Sequence, residues 1–346
     1  MNKSQPSTWI PVAGSYFGFF LFALSAIGLY LKSYWLLSPA IFALAIVPAM
    51  DAIFGEDKTN YKFEDFSRIQ KLVMRFAPII FVILHAVLIL SASFTIPSMY
   101  WGEYLMFTFS TGIIASICIL NGHELVHKNK HKLDQCVGYL GLFLVNYMHF
   151  AVNHIYGHHN NIGTDDDEST GLVSENVYQY IIRTVPGCYA LSWNLIRERN
   201  KKNRLNPMVL LLVAPLVFTL ILSYVFSWKA GLFFVMQAAI GALTLEIVAY
   251  IQHYGLERKS NDGTIEKTSN RHSWDVYGRF SSYLTFQVQR HADHHLFPIR
   301  PYYLLQTHKE SPKLPFGYPT MIGIALVPPL WRNMMNPRLE RHLQYK

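Results

Sequence analysis

Long apolar segments, separated by short polar stretches, are the dominant pattern of the sequence. Six of them run for about 20 residues, which is the length that a helix needs to cross the roughly 30 Å hydrocarbon layer of a bilayer. The first follows a short polar start without a convincing cleavage site, so we interpret it as a retained helix rather than a signal peptide. The pattern predicts membrane-spanning helices at about 12–31, 34–54, 73–94, 101–122, 206–227 and 229–252.

Two other stretches do not fit this pattern. Residues 134–152 are apolar but contain two glycines and have histidine-rich sequence on both sides, so a crossing would separate those flanks. We therefore predict a helix or helical pair at the membrane interface. Residues 255–346 are more polar, with an interfacial segment expected at 319–330. The expected fold is a single all-α integral membrane domain, 1–346, whose cap comprises 123–205 and 253–346.

Composition and charge support this interpretation. The chain has 346 residues, of which 51% are hydrophobic and only 15% charged, with a formal net charge of +8. The Lys and Arg residues concentrate at 58–75 and 197–204, so the positive-inside rule places both termini and the cap in the cytoplasm. Because these runs lie beside apolar segments, we expect contact with membrane lipid and no nucleic-acid binding. The three cysteines show no CxxC spacing, so electrons must come from another chain.

Nine of the 15 histidines lie in four tight groups. Residues spaced i, i+3 and i+4 share a helix face, so each group can present its rings in one direction. The predicted topology brings all four groups to one side of the membrane. So many nitrogen donors suit iron, copper or zinc rather than calcium or magnesium, and one four-coordinate zinc cannot use them all. The pattern predicts a site for two metals.

One group has the spelling of a zinc peptidase. In HELVH, His123 and His127 lie at i and i+4 with Glu124 between them. A peptidase has no use for three further histidine groups, so we consider this function a weak alternative. We expect Glu124 to accept a hydrogen bond from a ligating imidazole instead of acting as a base.

The histidine boxes resemble those of the membrane-bound non-haem diiron alkane 1-monooxygenases and the related xylene monooxygenase hydroxylase subunit, within the fatty acid desaturase-like superfamily. The matching blocks are HELVHK at 123, HIYGHH at 154, HYGL at 253 and QRHADHH at 289, in the family's order, with RHSWD at 271 and PKLPFGYP from 312. The resemblance implies six transmembrane helices, a hydrophobic passage to the metals, and nine iron ligands: His123, His127, His154, His158, His159, His253, His291, His294 and His295.

The resemblance also implies a reaction. A centre of two iron ions would use O2 as co-substrate to hydroxylate a terminal methyl group, converting an n-alkane to a 1-alkanol or an alkyl-aromatic methyl to a benzylic alcohol. The implied partners are a rubredoxin or ferredoxin with its NAD(P)H reductase, and the implied location is the bacterial inner membrane. The chain departs from common family letters at Asn153, Ala249 and Gln252, which keeps alkyl-aromatic substrates open beside alkanes.

Several polar residues are candidates for supporting the metals. Glu246 lies in an apolar stretch seven residues before His253, and because a carboxylate in a membrane is costly unless partnered, we expect it to hydrogen-bond a ligating histidine. Asp167 corresponds to an acidic family position near the site. Asp293, together with Arg290, is expected to support the ligands or to dock the electron donor. His149 and His272 also match family positions.

Two further functions remain open from the sequence. A membrane lipid or fatty acyl desaturase or hydroxylase shares the general HxxxH and HxxHH theme, although it lacks the HYG block. A membrane metal transporter would distribute its ligands along a path through the helices, whereas these histidines are predicted to collect on one side.

Overall fold

The computed structural model describes residues 7–128, 131–201, 205–261 and 264–344. Six helices in these ranges are long and apolar enough to cross a membrane, which confirms the predicted fold class. They are α1 (Trp9–Leu31), α2 (Ser33–Phe54), α3 (Arg68–Ser98), α4 (Trp101–Val126), α8 (Met208–Val225) and α9 (Trp228–His253). Helices α1 and α2 are interrupted by 3-10 turns and, at Phe42–Ile46, by a π-helical turn.

Helix α3 is longer than the predicted 73–94. Its first turn contains Arg68 and Lys71, which the apolar pattern excluded. Ser67 begins the helix with a capping box, because its hydroxyl accepts from the Gln70 amide while the Gln70 side chain accepts from the Ser67 amide. The polar start of α3 is thus helical because of this capping box, which a hydropathy pattern does not detect.

The stretch predicted to lie at the interface forms α5 (Lys132–Leu144), which at 13 residues is too short to cross a bilayer. It packs against α3 and α4. Gly122 and Gly138 allow the close approach to α4, since a Cβ at Gly138 would lie 2.9 Å from the Val126 side chain and 3.0 Å from the Gly122 carbonyl. This contact fixes the end of α4, where the first histidine box lies.

Shorter elements build the cap around these helix ends. A helical segment follows α5 at 150–161 and counts here as α6, with Phe150–Val152, Asn153–His158 and His159–Asn161 as its parts. The rest comprises α7 (Val177–Arg199), a two-stranded hairpin of Ser260–Asn261 and Thr264–Ile265, α10 (Arg279–Leu284), α11 (His291–Leu296), α12 (Tyr318–Ala325) and α13 (Pro328–Gln344), with short 3-10 turns at Phe63–Asp65 and Tyr302–Leu304. A further 3-10 turn, Ile96–Ser98, ends α3.

The hydrophobic core divides along the same lines. One cluster joins α1 to α5 within the membrane layer and extends to α10 and the chain around Tyr302. A second joins α9 to α7, α12 and α13 and includes the buried Trp274 and Trp331. A third cluster joins α4, α5, α6 and α9. Since α4, α6 and α9 also carry histidine boxes, both the membrane helices and the cap position the site.

Candidate metal centre

All nine histidines predicted as ligands converge at the junction of membrane helices and cap. They come from the end of α4, from α6, from the last residue of α9 and from α11. Their ring nitrogens form two groups, in each of which the nitrogens lie within 4.8 Å of one another. The group of five contains His123, His127, His154, His159 and His294, and the group of four contains His158, His253, His291 and His295.

Within each group the rings face one another through Nε2. In the group of five, Nε2 of His123 lies 3.0 Å from that of His294 and 3.1 Å from that of His127. In the group of four, the Nε2 atoms of His291 and His295 are 3.0 Å apart. Similar distances of 2.9 to 3.2 Å complete both groups, which point their inner nitrogens at a common centre.

A π-helical turn at Asn153–His158 divides the middle box between the groups. The wider turn places residues five apart on one face, so His154 meets His159 with their Nε2 atoms 2.9 Å apart. His158 points into the group of four instead. The expectation that each box presents its rings in one direction is therefore wrong here. It is also wrong in α11, where His291 and His295 join one group and His294 the other.

The donor set fits metal ions. Burial, and then the neighbouring rings, hold the pKa values of His154, His159, His291, His294 and His295 well below the usual value, so these rings are neutral. Nitrogen lone pairs that converge from several neutral rings repel each other unless a cation lies between them. Among the described residues, Nδ1 of His159, His291 and His295 has no hydrogen-bond partner, and Nε2 of each ring is the nitrogen that faces the other rings. The two groups thus have the donor set and the geometry of a metal site.

Two rings of the group of four are oriented from behind. The Asp167 carboxylate accepts a hydrogen bond from His158 Nδ1 at 2.9 Å, and the His272 backbone carbonyl accepts one from His253 Nδ1 at 3.4 Å. A carboxylate and a carbonyl can only accept, so each ring keeps its Nε2 lone pair for a metal. Burial raises the pKa of the Asp167 carboxyl, but the interaction with His158 outweighs this effect, so that the pKa of Asp167 is lowered overall. Its neighbours Asp165 and Asp166 are exposed.

Glu124 does not meet an imidazole as expected. Its carboxylate pairs with Lys128 Nζ at 2.8 Å and accepts from the Tyr302 amide at 3.2 Å. Lys128 lies four residues after Glu124, just beyond the end of α4, and this i,i+4 spacing favoured an ion pair already in the sequence. Glu124 therefore joins the ligand helix to the cap loop.

Glu246 also has a different partner from the expected histidine. In the described residues its Oε1 accepts a hydrogen bond from the Tyr147 hydroxyl at 2.5 Å. Both are buried, and Glu246 lines a small cavity beside the metal site. The costly membrane carboxylate is thus partnered, but by a phenol from the segment between α5 and α6.

The side chains of Asp293 and Arg290 form contacts in and around the cap and, among the described residues, make no hydrogen bond to the rings of the two histidine groups. The fully buried Asp293 carboxylate accepts from Arg300 and from His308 Nε2 at 2.8 Å. Arg290 donates to the backbone carbonyls of Asp57, Thr59 and Leu305. Within the described chain these contacts place both residues in the scaffold around α11, not on a ligating nitrogen.

Sequence reasoning missed Asp275 as a support of the site. Its buried carboxylate accepts from the Ala292 amide in the first turn of α11 at 2.9 Å and from the Tyr277 hydroxyl at 3.0 Å. Lys313 lies 3.8 Å away, and burial lowers the pKa of this lysine to about 8. The signal was present, since RHSWD and PKLPFGYP contain Asp275 and Lys313, but no spacing rule connects them across the chain.

The remaining histidines lie outside the two groups. His149 is buried against Tyr189, with ring centroids 4.0 Å apart, and lines the cavity beside the site. His85 is buried in α3, and His131 is exposed. His342 meets the Arg271 carbonyl at 3.1 Å.

Two small cavities lie next to each other, one at the histidines and one among the membrane helices. One, of about 40 Å³, is lined by several of the histidines together with Glu246. The other, of about 50 Å³, is almost wholly apolar and lies among α2, α4, α9 and α12. Leu120 and Leu245 line both, so these two side chains separate a hydrocarbon environment from the metal site.

A membrane-embedded helical fold with paired histidine groups defines an integral membrane metalloprotein of the fatty acid desaturase type, and the sequence model of the fatty acid desaturase family matches residues 99–325. The chain is 33% identical to alkane 1-monooxygenase 2 of Alcanivorax borkumensis, over 90% of this chain and 85% of that protein. It is 34% identical to alkane 1-monooxygenase of Pseudomonas putida, over 85% and 75%. The XylM hydroxylase component of xylene/toluene monooxygenase from Pseudomonas putida is 25% identical over 64% and 62%.

The chain therefore belongs to the alkane 1-monooxygenase family and is an oxidoreductase. The resemblance predicted from the histidine boxes is confirmed.

Proposed function

We propose that this protein is a diiron monooxygenase that uses O2 to hydroxylate a terminal methyl group of an alkane or of an alkyl-substituted aromatic. The observation that carries the proposal is the division of nine converging histidines into groups of five and four. Two metals with neutral nitrogen donors, in a protein whose substrates partition into the bilayer, suit oxidation of an unactivated C–H bond.

The nine histidines are the proposed iron ligands. Irons held there would supply the redox chemistry that reduces O2 and oxidises the C–H bond. The chain supplies the positioning, since Asp167 and the His272 carbonyl set the orientation of two rings in the group of four. Asp275 and the contacts of Asp293 hold α11, which contributes to both groups.

The proposed route for the substrate runs through the two cavities. An apolar chain needs no polar recognition, because removal of its surface from water already favours an apolar site. Leu120 and Leu245 would then set the width at which the methyl group reaches the histidines. The names of the curated relatives support both alkanes and methylbenzenes as candidate substrates.

The proposed location is the bacterial inner membrane, with the histidines facing the cytoplasm. The Lys and Arg residues of 58–75 and 197–204 favour this orientation. Electrons would come from a rubredoxin or ferredoxin and its NAD(P)H reductase, because the described cysteines are two buried thiols and one exposed one, with no paired set to hold an iron–sulfur centre.

Product analysis tests this function. Cells expressing the chain with a rubredoxin system would be fed octane, hexadecane, xylene or cymene, and the extracts analysed for alcohols. We expect a primary or benzylic alcohol whose oxygen derives from labelled O2, with two irons in the purified protein. Absence of any hydroxylated hydrocarbon, or appearance of an unsaturated acyl chain instead, would reject the proposal in favour of desaturation. A single zinc would favour the peptidase.

A further inference from the structure

An open groove of about 620 Å³ lies between the start of α3 and the end of α4, beside the first histidine box, and none of the nine converging histidines lines it. Nothing in the proposed reaction uses it. Its lining includes Arg68, Lys71, Leu72, Pro78, Leu125 and Lys128.

The groove has more positive charge than its own acids neutralise. Arg75 pairs with Asp134 at 3.0 Å, and Lys128 pairs with Glu124 at 2.8 Å. Arg68 has no ion-pair partner among the described residues. Lys71 Nζ contacts only uncharged groups of Phe63, the carbonyl at 3.3 Å and the ring at 3.7 Å from its centroid. Two cations therefore face the groove without a counter-charge. They stand three residues apart, and thus on one face of α3.

The position of these cations matches the depth of lipid headgroups. Helix α3 with its terminal turn has 31 residues, which corresponds to about 46 Å and exceeds the roughly 30 Å hydrocarbon layer. Its first turn therefore extends into the polar layer. The wall beyond it is apolar, with Leu72, Pro78 and Leu125 facing the groove. A phospholipid could therefore place its charged headgroup at the two cations and its acyl chain along the apolar wall.

From this arrangement, we propose that the groove binds an anionic phospholipid, with the phosphate between Arg68 and Lys71 and an acyl chain along the Leu72 and Leu125 wall. The positive end of the α3 dipole adds to the attraction. An acidic protein would match the charge but not the apolar wall, and free phosphate would leave that wall in water. The proposal is independent of the reaction, since it concerns none of the predicted ligands.

Bound lipid would also reach the metal site indirectly. Lys128 lines the groove while pairing with Glu124, which lies between His123 and His127. A lipid in the groove thus braces the end of α4 beside the first histidine box.

The test uses full-length protein in nanodiscs of pure phosphatidylcholine or of a phosphatidylcholine and phosphatidylglycerol mixture. Retained lipid is counted by native mass spectrometry, and thermal unfolding is followed in both. The variant Arg68→Gln with Lys71→Gln is compared with Lys309→Gln with Arg341→Gln, which loses the same charge at exposed cap positions outside the groove. Since each basic residue near a membrane contributes about 1 kcal/mol, the double groove variant should retain phosphatidylglycerol about 30-fold less strongly.

The control pair and the swap Arg68→Lys with Lys71→Arg should bind as the unmodified protein does, and phosphatidylglycerol should raise the unfolding temperature of these three proteins only. Equal retention by groove and control variants would reject the proposal, because bulk charge would then suffice. Displacement of the lipid by inorganic phosphate alone would reject it as well, since the apolar wall would contribute nothing. Failure of the swap variant to bind, with its unfolding temperature in phosphatidylcholine unchanged, would also contradict a charge-based site.

Discussion

The two histidine groups use the same kind of ligand but differ in how it is held. In the group of four, Asp167 and a backbone carbonyl fix two of the rings from behind, and all four rings are buried. In the group of five, one ring is partly exposed, and the structure shows no carboxylate behind any ring in the described residues. The cap thus orients one group closely, whereas the other is arranged by helix geometry.

This difference indicates what determines the metal affinity of each group. A carboxylate behind an imidazole fixes its tautomer and raises its basicity, so the group of four should bind its metal more tightly than its smaller ligand number suggests. In the group of five, the metal affinity would come from the larger number of histidine ligands instead. The one partly exposed ring makes the group of five the more accessible of the two.

The largest expected effect comes from removing one ligand from each group. His127→Ala and His253→Ala lie outside α11, so the helix shared by both groups stays intact. Each variant should lose the metal of its own group, so that metal content falls by about half and hydroxylation is lost. Metal analysis and spectroscopy of the remaining ion check this. Full metal content in either variant would show that the ring in question is not a ligand.

Asp275→Ala should affect both groups alike, because α11 supplies rings to each. It leaves the Ala292 amide, the Tyr277 hydroxyl and Lys313 without their buried partner, which should lower the free energy of unfolding by about 3 kcal/mol. Thermal or denaturant unfolding measures this. Asp275→Asn keeps an acceptor for the amide and should recover part of the loss; if it is as damaging as alanine, the charge rather than the amide contact is what matters.

Asp167→Asn should separate the groups. The amide cannot hold His158 as a carboxylate does, so the metal affinity of the group of four should fall about 10- to 100-fold while the group of five is unchanged. Competition with a chelator, followed metal by metal, is the measurement. Asp165→Asn is the matched control, since this exposed neighbour makes the same chemical change without touching a ring. A similar loss from both groups would remove the basis of the comparison.

Tyr147→Phe is expected to have the smallest effect and to spare both groups. It removes the hydrogen bond to Glu246, which lines the adjacent cavity, and should cost about 1 kcal/mol of stability. Metal content should stay unchanged, while KM for the hydrocarbon shifts because the cavity wall becomes more mobile. Loss of metal in this variant would instead place Glu246 among the groups that orient the ligands.

Much of this architecture follows from the sequence. Hydropathy predicted the six spanning helices, and the histidine boxes predicted the converging rings and the family. The resemblance to the family also implied that Asp167 lies near the site. These features depend on residue type and on spacing within one element, which a sequence displays directly.

The rest depends on contacts between distant segments. Nothing in the letters HIYGHH distinguishes a π turn from an α-helical one, since a small shift in backbone hydrogen bonding decides between them. Asp275 reaches α11 across 17 residues, and Glu246 meets a tyrosine 99 positions away. The segment of α7 was assigned to the cap from the sequence without being predicted as a helix, because its polar face lowers the mean hydropathy of the segment.

Because of the π turn, the middle histidine box depends on the number of residues between its histidines as well as on their identity. Removing one residue from 155–157 would return the segment to ordinary helical spacing, with His154 and the present His159 four positions apart. The pair could still meet, but His158 would be carried round to their side, and the group of four would lose a ring. Insertions and deletions in this segment should therefore change metal stoichiometry even when every histidine is kept.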